Sequence, residues 1–350
     1  MEYRQNLLAQ DRRISTIKKI KLIISLCFLI PACAIFKKNP KLQYKAGHAL
    51  LRLNHLDKAY YYFQRAVENN PQFFKAYSRL GDVMLLKGQT DGAIEFYDKA
   101  IAINPDHIDS CVNLAHTLLP GATYEKSLLL LHKFIKPAAY LEIGVQAGKS
   151  IAVVDKNTIA VGVDPEPKIS YPITDNTKIF AVTSDKFFED FDVKKELGSD
   201  TVDFSFIDGL HTFEQVLKDF INVEKYSRND TVVCIHDCLP LNNHTSRSQE
   251  ITSFWTGDVW KIVQVLKKYR ADLNYATIAA PPSGLGLVTN LDPKSTILSD
   301  NFDKIISEFR HLDYNYGYKE RLSAFNVIEN DWEVIKEHIK SKSRKPSKAA

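Results

Sequence analysis

From Tyr140 onward the chain alternates between two textures. Short apolar runs at 140–143, 159–163, 178–182, 202–207 and 231–235 are separated by polar, helix-patterned stretches. Runs this short, lacking an internal polar alternation, suit strands buried on both faces, and the stretches between them suit helical crossovers. Few architectures accommodate that order, and the expected one is a parallel sheet covered by helices on both sides. Each run also ends on or beside an acid: Glu142, Asp164, Asp185, Asp208 and Asp237. Open α/β sheets bind ligands at the carboxyl ends of their strands, so this edge is expected to be acidic and functional.

The first run leads into Glu142-Ile143-Gly144-Val145-Gln146-Ala147-Gly148-Lys149-Ser150. Glycines at 144 and 148 permit a tight turn and a close backbone approach, and a helix after them would aim free N–H groups at a ligand. Two phosphate-binding readings fail on spacing. The dinucleotide fingerprint wants glycine where Gln146 stands, and a P-loop wants four residues where Val145, Gln146 and Ala147 give three, which argues against a nucleotide hydrolase acting through Lys149. The E-x-G-x-x-x-G arrangement instead resembles the first motif of class I methyltransferases, which bind S-adenosylmethionine. That resemblance implies Glu142, Gly144, Gly148 and Asp164 as residues holding the cosubstrate, with Asp164 accepting the ribose hydroxyls. Asp185 either faces the adenine or caps the following helix.

A second constellation, Phe206-Ile207-Asp208-Gly209-Leu210-His211-Thr212-Phe213-Glu214-Gln215, places His211 just before a helix. Thr212 and Gln215 have the form of a capping box, and the helix dipole is expected to keep His211 neutral, a usable general base. On the next strand His236 and Asp237 come to lie beside Asp208. Carboxylates on neighbouring strand ends suit a hard divalent cation, magnesium or manganese, which makes Asp208, His236 and Asp237 the candidate metal ligands. Cys234, His236 and Cys238 alternate along this strand, but their spacing matches no common structural zinc pattern.

From about Ala139 to Asn290 the chain resembles the class I methyltransferases that include the macrocin and cephalosporin-type O-methyltransferases. In that family an Asp-x-x-His follows the fourth strand and an acidic pair follows the fifth. Asp208, His211 and Asp237 occupy matching positions; His236 stands where a carboxylate would. The resemblance implies a metal-assisted O-methyltransferase with His211 as base and a sugar or small-molecule acceptor. His236 then ligates the ion through nitrogen, contacts substrate, or marks a metal-free variant. The competing class is an interaction protein carrying a catalytically degenerate methyltransferase fold.

Upstream, Gly47, Ala59, Phe63, Ala66 and Pro71 recur thirty-four positions later as Gly81, Ala93, Tyr97, Ala100 and Pro105. The period resembles the tetratricopeptide repeat, with small residues where paired helices approach and prolines ending the second helix. Such an array implies either a protein partner or a structural appendage.

The expected organisation is an N-terminal segment at 1–40, helical repeats at 41–119, a linker helix at 120–137, the methyltransferase domain at 138–292, a helical extension at 293–339 and a basic disordered tail at 340–350. The fold class is thus a Rossmann-like α/β sheet with an N-terminal α-helical repeat domain. Net charge is +4, but the stretch from Lys336 to Ala350 holds six Lys/Arg against one Glu, so no basic face for nucleic acid is expected. Five scattered cysteines suit a reducing, cytoplasmic setting. The uncharged stretch 22–36, flanked by lysines, is short for a bilayer span. It is read as a buried helix or a membrane-surface anchor in preference to a signal segment, since the adenosylmethionine pool is cytosolic.

Overall fold

The computed structural model describes residues 15–341. The tail expected at 340–350 therefore lies outside the described residues beyond Ser341, as do residues 1–14. The chain divides into two compact units at Gly121/Ala122, with Thr252–Phe254 grouped with the first.

In the first unit, α1 (Thr16–Ile35) precedes two helix pairs, α2 (Pro40–Arg52) with α3 (Leu56–Asn69) and α4 (Phe74–Leu86) with α5 (Thr90–Ile103), and then α6 (Ile108–Leu118). The repeated small residues have a steric cause. A Cβ on Gly47 would sit 2.8 Å from the Phe63 ring, and one on Gly81 would sit 2.5 Å from the Tyr97 ring. The partner helix thus packs its aromatic directly on backbone, as close-packed interiors require. Asp82, fully buried, ties the second pair to the next helix. It accepts from Tyr97 Oη at 2.9 Å, Asn113 Nδ2 at 2.8 Å and Arg79 Nη1 at 2.6 Å.

Helix α1 is only partly what the sequence suggests. Leu26 and Cys33 are buried, and Leu26 joins the core built on Leu50, Phe63 and Leu80. Leu22 packs partly against the same core, while Ile17, Ile20, Ile24, Phe28 and Ile35 are exposed. No described helix is long and apolar enough to cross a membrane.

The second unit opens with α7 (Tyr124–Ile135), followed by β1 (Ala139–Ile143), β2 (Ile159–Val163) and β3 (Thr177–Phe180). Two short helices, α8 (Ser184–Asp190) and α9 (Val193–Leu197), lead to β4 (Phe204–Ile207), α10 (Phe213–Lys225) and β5 (Val232–His236). Then come α11 (Lys261–Tyr269), β6 (Asn274–Ile278), β7 (Leu285–Thr289), α12 (Ile297–Asp300), α13 (Phe302–Phe309), α14 (Glu320–Ala324), β8 (Val327–Ile328) and α15 (Trp332–Lys340). The strands form one sheet in the order β3-β2-β1-β4-β5-β7-β6-β8. All neighbours are parallel except β7, which is antiparallel to both β5 and β6. Strand order reverses between β1 and β4, and that switch point is where such a sheet opens a crevice.

Two expectations change here. Helix α7, read as a linker, supplies the fully buried Leu128 and Leu131 to the sheet's core, beside Tyr140, Phe204 and Phe206. The helix expected after the glycine turn is reduced to a single 3-10 turn at Ile151–Val153. Only 144–158 separate β1 from β2, and the glycine turn uses the first part of that length, so too little chain is left for a full crossover helix. Leu128 and Leu131 of α7 share the core cluster with Ile151 and Val154 of that stretch.

Candidate functional site

Gly144 leaves β1 with φ +86°, and a Cβ there would lie 1.9 Å from the Asp208 carbonyl oxygen. The glycine is thus needed on two counts, a left-handed backbone and the close passage of β4's tip. Gly148 also has φ +82°, and Gln146, where a fingerprint glycine would stand, adopts φ +47°. The turn keeps the fingerprint's left-handed bend with a side chain on it.

Glu142 is fully buried. Its two oxygens accept from Tyr140 Oη at 2.6 Å and Ser150 Oγ at 2.5 Å. Burial pushes its carboxyl up to about 8 even though both hydroxyls donate to it. Instead of facing a ligand, it ties Ser150, at the far end of the turn, to the strand. Asp164, half-exposed, braces the glycine turn: Oδ2 accepts from the Val145 and Gln146 amides at 3.0 and 2.8 Å, and Oδ1 accepts from the Glu166 amide at 2.8 Å. The carboxylate thus satisfies two amides of the turn that precede Gly148. Asp185 sits in the first turn of α8, where Gln215 donates to it at 2.9 Å and Lys218 approaches to 3.9 Å. Its visible partners are therefore on α10.

The tips of β4 and β5 bring together four groups. His211 Nε2 lies 3.2 Å from Asp208 Oδ1, and its Nδ1 lies 3.2 Å from Asp237 Oδ2. His236 Nδ1 lies 3.1 Å from Asp208 Oδ1 and 3.5 Å from Asp237 Oδ1, while its Nε2 meets Ser283 Oγ at 3.2 Å. One ligand atom each from Asp208, His211 and Asp237 falls within a mutual 4.8 Å. Asp237 Oδ2 and His211 Nδ1, both buried, face each other across their 3.2 Å separation out of line for a hydrogen bond. Asp237 also carries φ +59°, a strained backbone for a non-glycine that aims its carboxylate back over the strand end.

The electrostatics reverse the expectation for His211. Burial lowers its basicity, but Asp237 and Asp208 outweigh this and raise its pKa to about 9. His236 is raised to about 9 in the same way, against burial, by Asp208 and Asp237. Burial alone would raise Asp208, yet the two histidines hold it well below the usual carboxylate range, whereas burial keeps Asp237 above it. The helix dipole is a fraction of a charge, and two carboxylates in contact outweigh it. Nor is the capping box made. The Thr212 side chain caps nothing, and Asp258 Oδ1, steadied by Lys261 at 3.0 Å, takes the Phe213 amide at 2.7 Å.

Three contributors were not singled out as site residues. Tyr124 of α7 lays its ring 4.0 Å from that of His236, and Ser283, on the turn between β6 and β7, reaches the same imidazole because antiparallel β7 neighbours β5. Trp255 stands with its ring 5.3 Å from His211 and donates its indole N–H to the Arg247 carbonyl at 2.7 Å. Trp260 is a core residue, packed on Tyr314, Tyr316 and Phe325. The cysteine-based zinc set does not form. Cys234 lies in the sheet core, and Asp208, His211 and Asp237 are the residues among those described that gather as a metal-type cluster.

Comparison with known proteins agrees with this architecture. Residues 141–238 match the family described as a methyltransferase domain, and residues 44–108 match the tetratricopeptide repeat. The chain therefore carries tetratricopeptide repeats followed by a methyltransferase domain built on a Rossmann-like sheet. No curated protein matches the chain. Among solved structures, MamA is similar at 27% identity over 26% of this chain and 54% of its own, with a TM-score of 0.26. YrrB, a TPR protein with an unusual peptide-binding site, is similar at 26% identity over 27% of this chain and 48% of its own, with a TM-score of 0.26. The second TPR domain of human RPAP3, in complex with an HSP70 peptide, shares 17% identity over 29% of this chain and 84% of its own, with a TM-score of 0.28. The chain spans about half the length of the first two.

Proposed function

We propose that this chain is an S-adenosylmethionine-dependent methyltransferase that methylates a hydroxyl oxygen of a saccharide or small-molecule acceptor. The observation that supports the reading is the convergence of Asp208, His211 and Asp237 at the tips of β4 and β5, one ligand atom of each within a mutual 4.8 Å. Two carboxylates beside an imidazole fit magnesium or manganese. Asp208 and Asp237 would hold the ion, with His236 at its side.

When bound, a divalent cation supplies positive charge that lowers the pKa of an acceptor hydroxyl and offsets the pull of the carboxylates on the His211 proton. His211, once neutral, takes the hydroxyl proton while the oxygen attacks the methyl carbon, and the S–CH3 bond breaks to leave S-adenosylhomocysteine. Ser283 and Tyr124 hold His236, and through it the orientation of Asp208. Gly144, Gly148 and Asp164 set the turn against which the donor lies, and Glu142 fixes that turn from within the sheet. Asp185 is the candidate contact for the adenine. Since the donor is already activated, much of the rate comes from positioning.

His211→Ala and Asp208→Asn are each expected to abolish turnover while donor affinity, measured by isothermal titration, stays near wild type. Unchanged turnover in both variants refutes the mechanism. The second reading, an interaction protein with a catalytically degenerate fold, is favoured by the missing helix after the glycine turn and the engagement of Asp164 with the turn's own amides. It predicts no heat on titration with the donor. In either case the cleft lined by Tyr44, Lys75, Arg79, His107 and Asp109 suits a peptide partner for the repeats.

A further inference from the structure

Helix α1 carries two apolar stripes. One is turned inward through Leu26 and Cys33. The other runs through Ile17, Ile20, Ile24, Phe28, Pro31 and Ile35, spaced by three and four residues and therefore on one side of the helix. It is open, with Phe28 and Ile35 each 74% exposed. At 1.5 Å per residue the stripe is about 27 Å long. An exposed apolar strip of this length marks an interaction surface.

Charge decides what covers it. Lys18, Lys19 and Lys21 stand at one end and Lys37 and Lys38 at the other. From Ser15 to Leu56 there are eight Lys/Arg and no Asp or Glu. A second copy of the helix would bring lysines onto lysines whether it lay parallel or antiparallel, with no acid in the segment to offset them. An anionic lipid surface accepts the apolar strip and neutralises both ends at once. We propose that α1 lies on anionic membranes, its outer stripe sunk at the headgroup boundary and its terminal lysines on the lipid phosphates. The helix lies in the surface instead of spanning it, consistent with its falling short of a membrane-crossing helix. This placement goes beyond the methyltransferase reading and stands whether or not the domain turns over.

The test is flotation of the full chain with two kinds of vesicle, phosphatidylcholine alone and phosphatidylcholine mixed with phosphatidylglycerol. Wild type is expected to float with the mixed vesicles only. The double variant Ile24→Asp/Phe28→Asp changes exposed positions and should remain in the bottom fraction while its circular dichroism is unchanged. The triple variant Lys18→Gln/Lys19→Gln/Lys21→Gln should bind the mixed vesicles about 100-fold more weakly, from roughly fivefold per lysine. Equal binding to both vesicle types, or binding to neither, overturns the proposal. So does a wild-type dimer in sedimentation that Ile24→Asp/Phe28→Asp dissolves.

Discussion

Leucine at position 132 should stabilise the second unit by an amount that grows as the solution is acidified. His132 is 5% exposed on α7, with its ring centroid 4.5 Å from Tyr140 and 4.8 Å from Phe204. Neither ring nitrogen has a hydrogen-bond partner. Burial pushes its pKa down to about 4, against an ordinary value of 6.5. The folded protein therefore keeps the ring neutral while the unfolded chain binds a proton below pH 6.5. Stability from this site is complete above 6.5 and is lost as pH falls toward 4, at about 1.4 kcal/mol per unit. Between pH 7.5 and 5 the loss comes to about 2 kcal/mol. The variant His132→Leu has no such proton to bind and should also gain about 1 kcal/mol at neutral pH by removing two unsatisfied nitrogens. All three tryptophans, Trp255, Trp260 and Trp332, lie in the second unit, so urea titrations followed by tryptophan fluorescence report on it. The stability gap between variant and wild type should widen by about 2 kcal/mol from pH 7.5 to pH 5. An equal gap at both pH values refutes the reasoning.

Two further substitutions probe the frame around each unit's key contacts. Asp82→Ala strips the buried acceptor from Tyr97, Asn113 and Arg79 and leaves the Arg79 guanidinium only its looser pairing with Asp109, so the repeats should lose about 3 kcal/mol, read from hydrogen exchange on α4 and α5. Gly144→Ala puts a Cβ into the Asp208 backbone at a left-handed φ, and should cost the second unit more than about 3 kcal/mol and its donor binding. The tryptophan transition should move while exchange protection in the repeats stays unchanged.

Much of the frame was legible because its causes are local. The apolar runs mark the strands, and the glycine-aromatic pairs Gly47 with Phe63 and Gly81 with Tyr97 mark helices in contact. Asp208, His211 and Asp237 come together because consecutive parallel strands β4 and β5 are neighbours and end at the same level. What failed depends on partners distant in sequence or on competition for chain length. The helix after Gly148 gave way to a single 3-10 turn because the connection to β2 is short, and Asp164, from the end of β2, holds the Val145 and Gln146 amides of the turn before it. Thr212 lost its capping role to Asp258, 45 positions beyond the Phe213 amide it accepts from, which no local motif signals. The charge on His211 followed the two carboxylates in contact with it instead of the dipole inferred from its place before α10. Ser283 reaches His236 only because β7 inserts between β5 and β6, a placement visible in the strand order and nowhere in the spacing.

The strand β8 is two residues long, yet it occupies the outermost position of the sheet beside β6, with Thr277 opposite Val327 and Ile278 opposite Ile328. Thr277 Oγ1 donates to the Phe325 carbonyl at 2.8 Å, fastening the same margin. An uncovered β6 would present a row of free amides and carbonyls that another polypeptide could extend. Truncation before Val327 would therefore bare β6 and also take Ile335 out of the sheet core, and the uncovered margin should make the shortened chain prone to stack edge to edge.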